Sequence, residues 1–162
     1  RPLIFTSCHD DRSGEGVIVS RIGLSHEANI FKENTNLYEE VINLGRESID
    51  CLLIDEAQFL TKDQVQQLSL IVDQLNISVM SFGLRTDFQG KLFEGSKFLL
   101  AIADNLKEIK NICHCGKKAT MILRFDEQGL VITEGEQIVI GGEERYVSVC
   151  RKHFYEKCTG II

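Results

Sequence analysis

Apolar residues along this chain fall into short runs separated by polar turns, with no single long block. Leu3-Ile4-Phe5 reads as a buried strand that begins almost at residue 1, which implies either an edge position in a sheet or a chain that starts further upstream. A polar stretch with Gly14 and Gly16 leads to Val17-Ile18-Val19, an extended segment. Leu37, Val41, Ile42 and Leu44 predict a short helix over 36–45, with Gly45 at its C-terminal end. Cys51-Leu52-Leu53-Ile54 is apolar throughout and runs directly into Asp55-Glu56. Such a strand suits a parallel sheet buried on both faces, with polar chemistry at the carboxyl edge. Thr61-Lys62-Asp63-Gln64 is a capping box, and Val65, Leu68, Val72 and Leu75 follow at helical spacing. Ile77 to Phe82 predicts a second buried strand, closed by Gly83. Residues 50–83 therefore form one strand–helix–strand unit, the signature of an open α/β sheet. A loop over 90–95 then leads to Ser96, which is expected to cap an apolar helix from Phe98 to Ala103.

Past Asn105 the pattern becomes β-like. Met121-Ile122-Leu123, Leu130-Val131-Ile132 and Ile138-Val139-Ile140 are punctuated by Gly129, Gly135 and Gly141-Gly142. The expected organisation is an α/β core over 1–106 and a smaller β-rich domain over 107–162, with no internal repeat.

Composition narrows the class. At 162 residues and 43% hydrophobic, with one Pro and no Trp, the chain reads as soluble and globular. A formal charge of −6 disfavours wholesale binding to phosphate backbones, so no nucleic-acid partner is expected. No apolar stretch approaches the roughly 18 residues of a membrane span, and no leader pattern is evident. The six cysteines sit in a chain with ample apolar core, which favours a reducing cytoplasm over a disulfide scaffold.

Three of those cysteines make the strongest chemical signal. Cys113-x-Cys115 and Cys150-x-x-His153 supply four donors in two close pairs, with 34 residues between them. Zinc takes such donors at tetrahedral geometry, and Gly116 suits the tight turn of a metal knuckle. Four protein ligands leave no open position, so the site is expected to be structural. The bland alternative is three ordinary cysteines beside a surface histidine. Asp55-Glu56, with Gln58 close behind, can divide labour at a strand's end, one carboxylate binding Mg²⁺ and the other accepting a proton. Acidic residues at strand ends are common in any case. Asp10-Asp11-Arg12 offers a guanidinium for a phosphate, or only a solvated charge cluster. Phe59, Phe88 and Phe93 offer flat faces for a ring, although core packing is the commoner role of such residues. Gly141-Gly142 and Tyr146 suit either a close backbone approach to a ligand or a hairpin turn and a strand tyrosine. The chain holds no Gly-x-x-x-x-Gly-Lys-Ser/Thr phosphate loop, and Gly14-x-Gly16 lacks the Lys.

Taken together, these residues resemble the zinc-containing (type II) thymidine kinases, most closely the bacterial members. The resemblance rests on Leu53-Ile54-Asp55-Glu56-Ala57-Gln58-Phe59, on the loop from Gly83 to Phe93, and on the segment from Val139 to Arg151. It implies a P-loop-NTPase-like open parallel sheet with a small zinc-binding lasso or lid over 117–149. It further implies that ATP phosphorylates thymidine to dTMP in nucleotide salvage and DNA precursor synthesis. Glu56 would be the general base, and Asp55, Glu56, Ala57 and Gln58, with Asp11 and Arg12, would lie at the ATP phosphates and Mg²⁺. Phe59, Leu84, Phe88, Val139, Gly141 and Tyr146 would contact the nucleoside. Cys113, Cys115, Cys150 and His153 would hold a structural zinc at both ends of the lid, and a homotetramer is implied.

The family's glycine-rich phosphate loop, with the sheet's first strand, lies upstream of the segment where this chain begins. A fragment lacking that loop is the expectation, and the chain as given is expected to be inactive without it. The rival reading is a non-enzymatic zinc-ribbon module for nucleic acid or protein. Lys117, Lys118 and Arg124 favour it, while Glu127, Glu134, Glu136, Glu143 and Glu144 oppose it.

Overall fold

The computed structural model describes residues 1–9, 16–20, 22–137 and 145–160. Its contacts divide the chain into two compact units, Arg1–Arg85 with Phe93–Ala103, and Thr86–Leu92 with Asp104–Ile162.

The first unit is α/β. Strands β1 (Pro2–Ser7), β4 (Asn29–Phe31), β5 (Cys51–Ile54) and β6 (Ser78–Ser81) form a four-stranded sheet in the order β4-β1-β5-β6, parallel at every pairing. In register, Phe5 faces Asn29 on one side and Ile54 on the other. A two-stranded antiparallel pair, β2 (Val17–Val19) and β3 (Ser25–Glu27), precedes β4. Helix α1 (Leu37–Asn43) starts where the Asn36 side chain accepts from the Glu39 N–H, and Gly45 takes φ 88° just beyond its end. Helix α2 (Lys62–Leu75) carries the complete capping box, with Thr61 and Gln64 satisfying each other's backbone N–H groups. Gln64 does more: buried, its amide also donates to the carbonyls of Lys32 and Thr35. Phe5, Phe31, Leu37, Val41, Leu52 and Ile54 close the core under these helices.

Several sequence expectations shift here. β1 is not at an edge, because β4 covers its other side; β4, a three-residue strand among polar neighbours, carries too little periodicity to be read in advance. The apolar stripe of α2 passes through Ile71, fully buried, while Val72 faces outward. Ile77 to Phe82 was expected to be a buried strand. Instead β6 ends the sheet, with Met80 and Phe82 more than two-fifths exposed. Ser96 caps no helix: α3 (Glu94–Ile102) begins after Phe93, and Ser96 lies inside it with its hydroxyl donating to the Leu84 carbonyl.

The second unit is built from short strands. β7 (Asn111–Ile112) and β8 (Lys118–Ala119) make an antiparallel pair. β9 (Met121–Phe125), β10 (Val131–Ile132) and β11 (Arg145–Val149) form an antiparallel sheet in the order β10-β9-β11, followed by helix α4 (Arg151–Tyr155). Its buried cluster is Cys113, Ala119, Leu123, Val149 and Cys150, with Met121, Val131, Val147 and Phe154 packed around it. Two of those five buried residues are cysteines, and Phe88 and Phe125 are buried elsewhere in the unit. The expected strand Ile138-Val139-Ile140 lies outside the described residues. Among the described residues, no helix is long and apolar enough to cross a membrane.

Candidate active site and metal centre

β5 delivers its carboxylates where the parallel sheet ends. The Asp55 N–H donates to the Phe5 carbonyl at 2.8 Å, the last rung on that side, and the chain then leaves the strand through Glu56 into a single 3-10 turn over Ala57–Phe59. Glu56 turns that corner in the left-handed region, at φ 52° and ψ 37°. Non-glycine residues reach this region at a cost, and such residues concentrate at functional sites. Both carboxylates are half-buried.

The turn is packed backbone to backbone. The Ala57 N–H donates to the Phe82 carbonyl at 2.8 Å. A Cβ on Gly83 would meet Gln58 Oε1 at 2.6 Å, and one on Gly95 would meet the Ala57 carbonyl at 2.5 Å. Both positions therefore admit only glycine as built. Gln58 is buried at 2% exposure; its Nε2 donates to Glu56 Oε2, and its Oε1 accepts from the Leu84 N–H at 3.1 Å. Phe59 packs edge-on to Phe93, with ring centroids 5.8 Å apart, and against His9 at 5.0 Å. Leu84 is exposed. Asp55, Glu56, Ala57, Gln58, Phe59 and Leu84 thus come together within the first unit.

In the second unit Phe88 is buried, and the Arg124 guanidinium lies over its ring at 3.8 Å. Arg124 is itself only 3% exposed and donates to the Glu136 carbonyl, so it does not belong to a basic outer face. Asp87, also buried, accepts from the Gln89 and Lys91 N–H groups through Oδ1 and from Gln137 Nε2 through Oδ2. Gln89 Nε2 donates to the Gly135 carbonyl. These bonds tie the 86–92 loop to the 135–137 segment. Sequence reasoning read Arg124 as a surface charge and gave Asp87 and Gln137 no partners, because polar residues in loops and short strands give no signal of what they meet. Tyr146 is exposed on β11, in register with Arg124. Asp11, Arg12, Val139 and Gly141 lie outside the described residues.

The metal-ligand set converges from two turns. In the β7–β8 turn the Cys113 N–H donates to the Lys117 carbonyl and the Gly116 N–H to the Cys113 carbonyl, with Gly116 at φ 80°. Cys150 sits at the N-cap of α4 and His153 three residues on, so both look the same way from one helical turn. The four donor atoms lie within 4.8 Å of one another. Cys115 Sγ and Cys150 Sγ are 3.9 Å apart, and Cys113 Sγ and His153 Nδ1 are 3.2 Å apart. Sulfurs in a zinc tetrahedron, about 2.3 Å from the metal, stand about 3.8 Å from each other. Four donors, three of them thiols, at this spacing form a potential metal-binding group consistent with zinc. Burial opposes ionisation of Cys113, but the Cys115 and Cys150 N–H groups and His153 bond its sulfur and bring the thiol down to about 5. Cys115 moves the other way: the Lys117 N–H favours its thiolate, yet desolvation and the neighbouring Cys113 and Cys150 sulfurs push it up. A favoured Cys113 thiolate beside a Cys115 thiol that holds its proton is a pair a cation would draw a proton from on binding. His114 stacks on His153, centroids 4.2 Å apart and planes within 10°. The Cys158 N–H donates to the His153 backbone carbonyl, so the ring is covered by His114 while the backbone that carries it is fastened separately.

Comparison with known proteins gives the family. The family model described as thymidine kinase matches residues 1–154. A thymidine kinase of Mannheimia succiniciproducens is 58% identical over 156 residues, covering 96% of this chain and 80% of that protein. One from Vibrio vulnificus strain CMCP6 is likewise 58% identical, over 96% of this chain and 81% of the relative. One from Agrobacterium fabrum is 59% identical over 157 residues, with the same two shares. With a strained carboxylate at the rim of a parallel sheet, a Cys₃His cluster and identity at this level over nearly its whole length, the chain belongs to the thymidine kinase family.

Proposed function

We propose that this protein transfers the γ-phosphoryl group of ATP to the 5′-hydroxyl of thymidine, giving dTMP and ADP. The observation that carries the reading is the left-handed Glu56 at the carboxyl end of β5, held by a buried amide in a chain of this family. Such a conformation costs about 1–3 kcal/mol, and it persists where the surroundings over-determine it. Family membership does not favour the non-enzymatic zinc-ribbon reading.

Glu56 takes the proton of the 5′-hydroxyl as that oxygen forms its bond to the γ-phosphorus and the bond to the β,γ-bridging oxygen breaks. Asp55 and Glu56 are the carboxylates that would hold Mg²⁺, which supplies neutralisation of phosphate charge when bound. The Asp55 to Gln58 turn borders the ATP phosphates, with Asp11 and Arg12 assigned to the transferred group. Phe59, Leu84, Phe88, Val139, Gly141 and Tyr146 are assigned to the nucleoside. Cys113, Cys115, Cys150 and His153 take a structural zinc, whose role is to fix the turns at both ends of the 117–149 segment. A homotetramer, a cytoplasmic setting and a place in DNA precursor synthesis complete the reading.

The test replaces Glu56 by Gln in the complete gene product carrying its phosphate loop. A general base is worth about 10²–10⁴ in rate. Glu56→Gln is therefore expected to lose that much kcat while thymidine binding, read by calorimetry, holds. Undiminished turnover would remove Glu56 from this role.

A further inference from the structure

We propose that Gln58 is a positioning residue, whose side-chain amide holds the Glu56 carboxylate in one orientation and fastens it to the backbone of the 83–84 segment. The inference rests on the reading of Glu56 as the general base.

A primary amide buried to 2% exposure has two ends to satisfy, and leaving either one unpaired is costly. Both ends are paired here. Oε1 accepts from the Leu84 N–H at 3.1 Å, and Nε2 donates to Glu56 Oε2. The assignment of oxygen and nitrogen is forced, because a backbone N–H only donates and a carboxylate only accepts. With Leu84 claiming the oxygen, the amide cannot turn its acceptor toward Glu56. A donated bond favours the charged form of a carboxylate, and it fixes one rotamer of a side chain on a strained backbone.

The anchor is rigid. Gly83 lets its backbone approach so closely that a Cβ there would lie 2.6 Å from Gln58 Oε1 and 2.9 Å from its backbone nitrogen. Ser96 of α3 donates to the Leu84 carbonyl, so that residue is bonded through both its N–H and its C=O. Gly95, next to Ser96, admits the Gln58 carbonyl at 2.9 Å from where its Cβ would stand. One chain of bonds, Ser96 to Leu84 to Gln58 to Glu56, runs from α3 to the carboxylate. It accounts for two glycines and a helix-interior serine that the phosphoryl-transfer roles leave unexplained.

The measurement is the pH profile of kcat in the complete gene product, for Gln58→Glu and Gln58→Leu. Gln58→Glu keeps the shape and an acceptor for Leu84, but it sets a second carboxylate against Glu56. Its acid limb is expected to move up by about one pH unit, and below the limb kcat drops about tenfold. Gln58→Leu, which loses both the donor to Glu56 and the acceptor for the Leu84 N–H but adds no charge, moves the limb in the same direction by less. A limb that coincides with the parent's in either variant, melting as the parent does, overturns the proposal. Should neither variant fold, the unmodified protein decides by NMR. The Gln58 side-chain NH₂ resonance should titrate with Glu56 and lose that titration in Glu56→Gln; a resonance that stays fixed through the carboxylate range overturns it. Full turnover by Glu56→Gln would instead sink the general-base reading itself, whereas an inactive Glu56→Gln with an unmoved Gln58 limb removes only the present inference.

Discussion

In the first unit the carboxylate assigned as general base is held by the fold itself: a strand with Leu52 and Ile54 fully buried leads to it, a buried amide grips it, and two glycines let backbone crowd in behind. In the second unit the four metal donors are held by two short turns, over a buried cluster in which Cys113 and Cys150 take the place of larger apolar residues. One region positions its carboxylate by packing; in the other, the proposed zinc would add stability to a smaller apolar cluster. Small domains with thin cores characteristically recruit a metal for this purpose.

That contrast is open to direct attack, and the largest effect is expected at the metal. Structural zinc contributes about 10–16 kcal/mol of apparent binding energy in small zinc modules, as much as a whole domain's stability. Stripping the metal with a chelator, or Cys150→Ser, should therefore unfold the second unit alone. Limited proteolysis would show cuts within 104–160 while a fragment over 1–103 survives. Equal protection of both regions after chelation would erase the contrast.

Next comes the backbone crowding of the first unit. Gly95→Ala forces a methyl into 2.5 Å of the Ala57 carbonyl, and relieving it means moving α3 or the turn that carries Glu56. Overpacking of this kind costs about 1–3 kcal/mol. A lower urea midpoint with undiminished zinc content is the expected pattern. Loss of zinc in that variant would show that the two regions do not stand separately. The smallest effect belongs to the α2 cap. Thr61→Ala removes one half of the capping box, worth about 1 kcal/mol, and should lower the midpoint slightly while turnover is retained.

Much of this was readable from local pattern. The run Cys51–Ile54 ending in two carboxylates, the capping box at Thr61, and the Cys-x-Cys and Cys-x-x-His pairs all specify short-range geometry. A strand's extent, a helix start and a metal turn are each decided within a few residues, so sequence alone carries them. The structure departs from that reading wherever the deciding partner is distant. Ser96 looks like a cap by type, yet its hydroxyl serves the Leu84 carbonyl twelve residues away. The run from Ile77 to Phe82 reads as a buried strand, yet β6 within it lies at the end of the sheet order among the described residues, and Met80 is exposed there. Arg124 reads as a surface charge, and only the packing of Phe88 against it makes it an interior one.

What the sequence determined by itself was the set of elements, the two ligand pairs and the carboxylates at the strand's end, because periodicity, capping and turn chemistry act between near neighbours. What only the tertiary structure decided was the company each polar group keeps: that β1 lies inside the sheet, that Gln58 faces Glu56 and Leu84, and that Asp87 meets Gln137. A hydrogen bond between residues tens of positions apart leaves no periodic trace in the chain. It exists only once burial has excluded water and each donor must find an acceptor inside the fold.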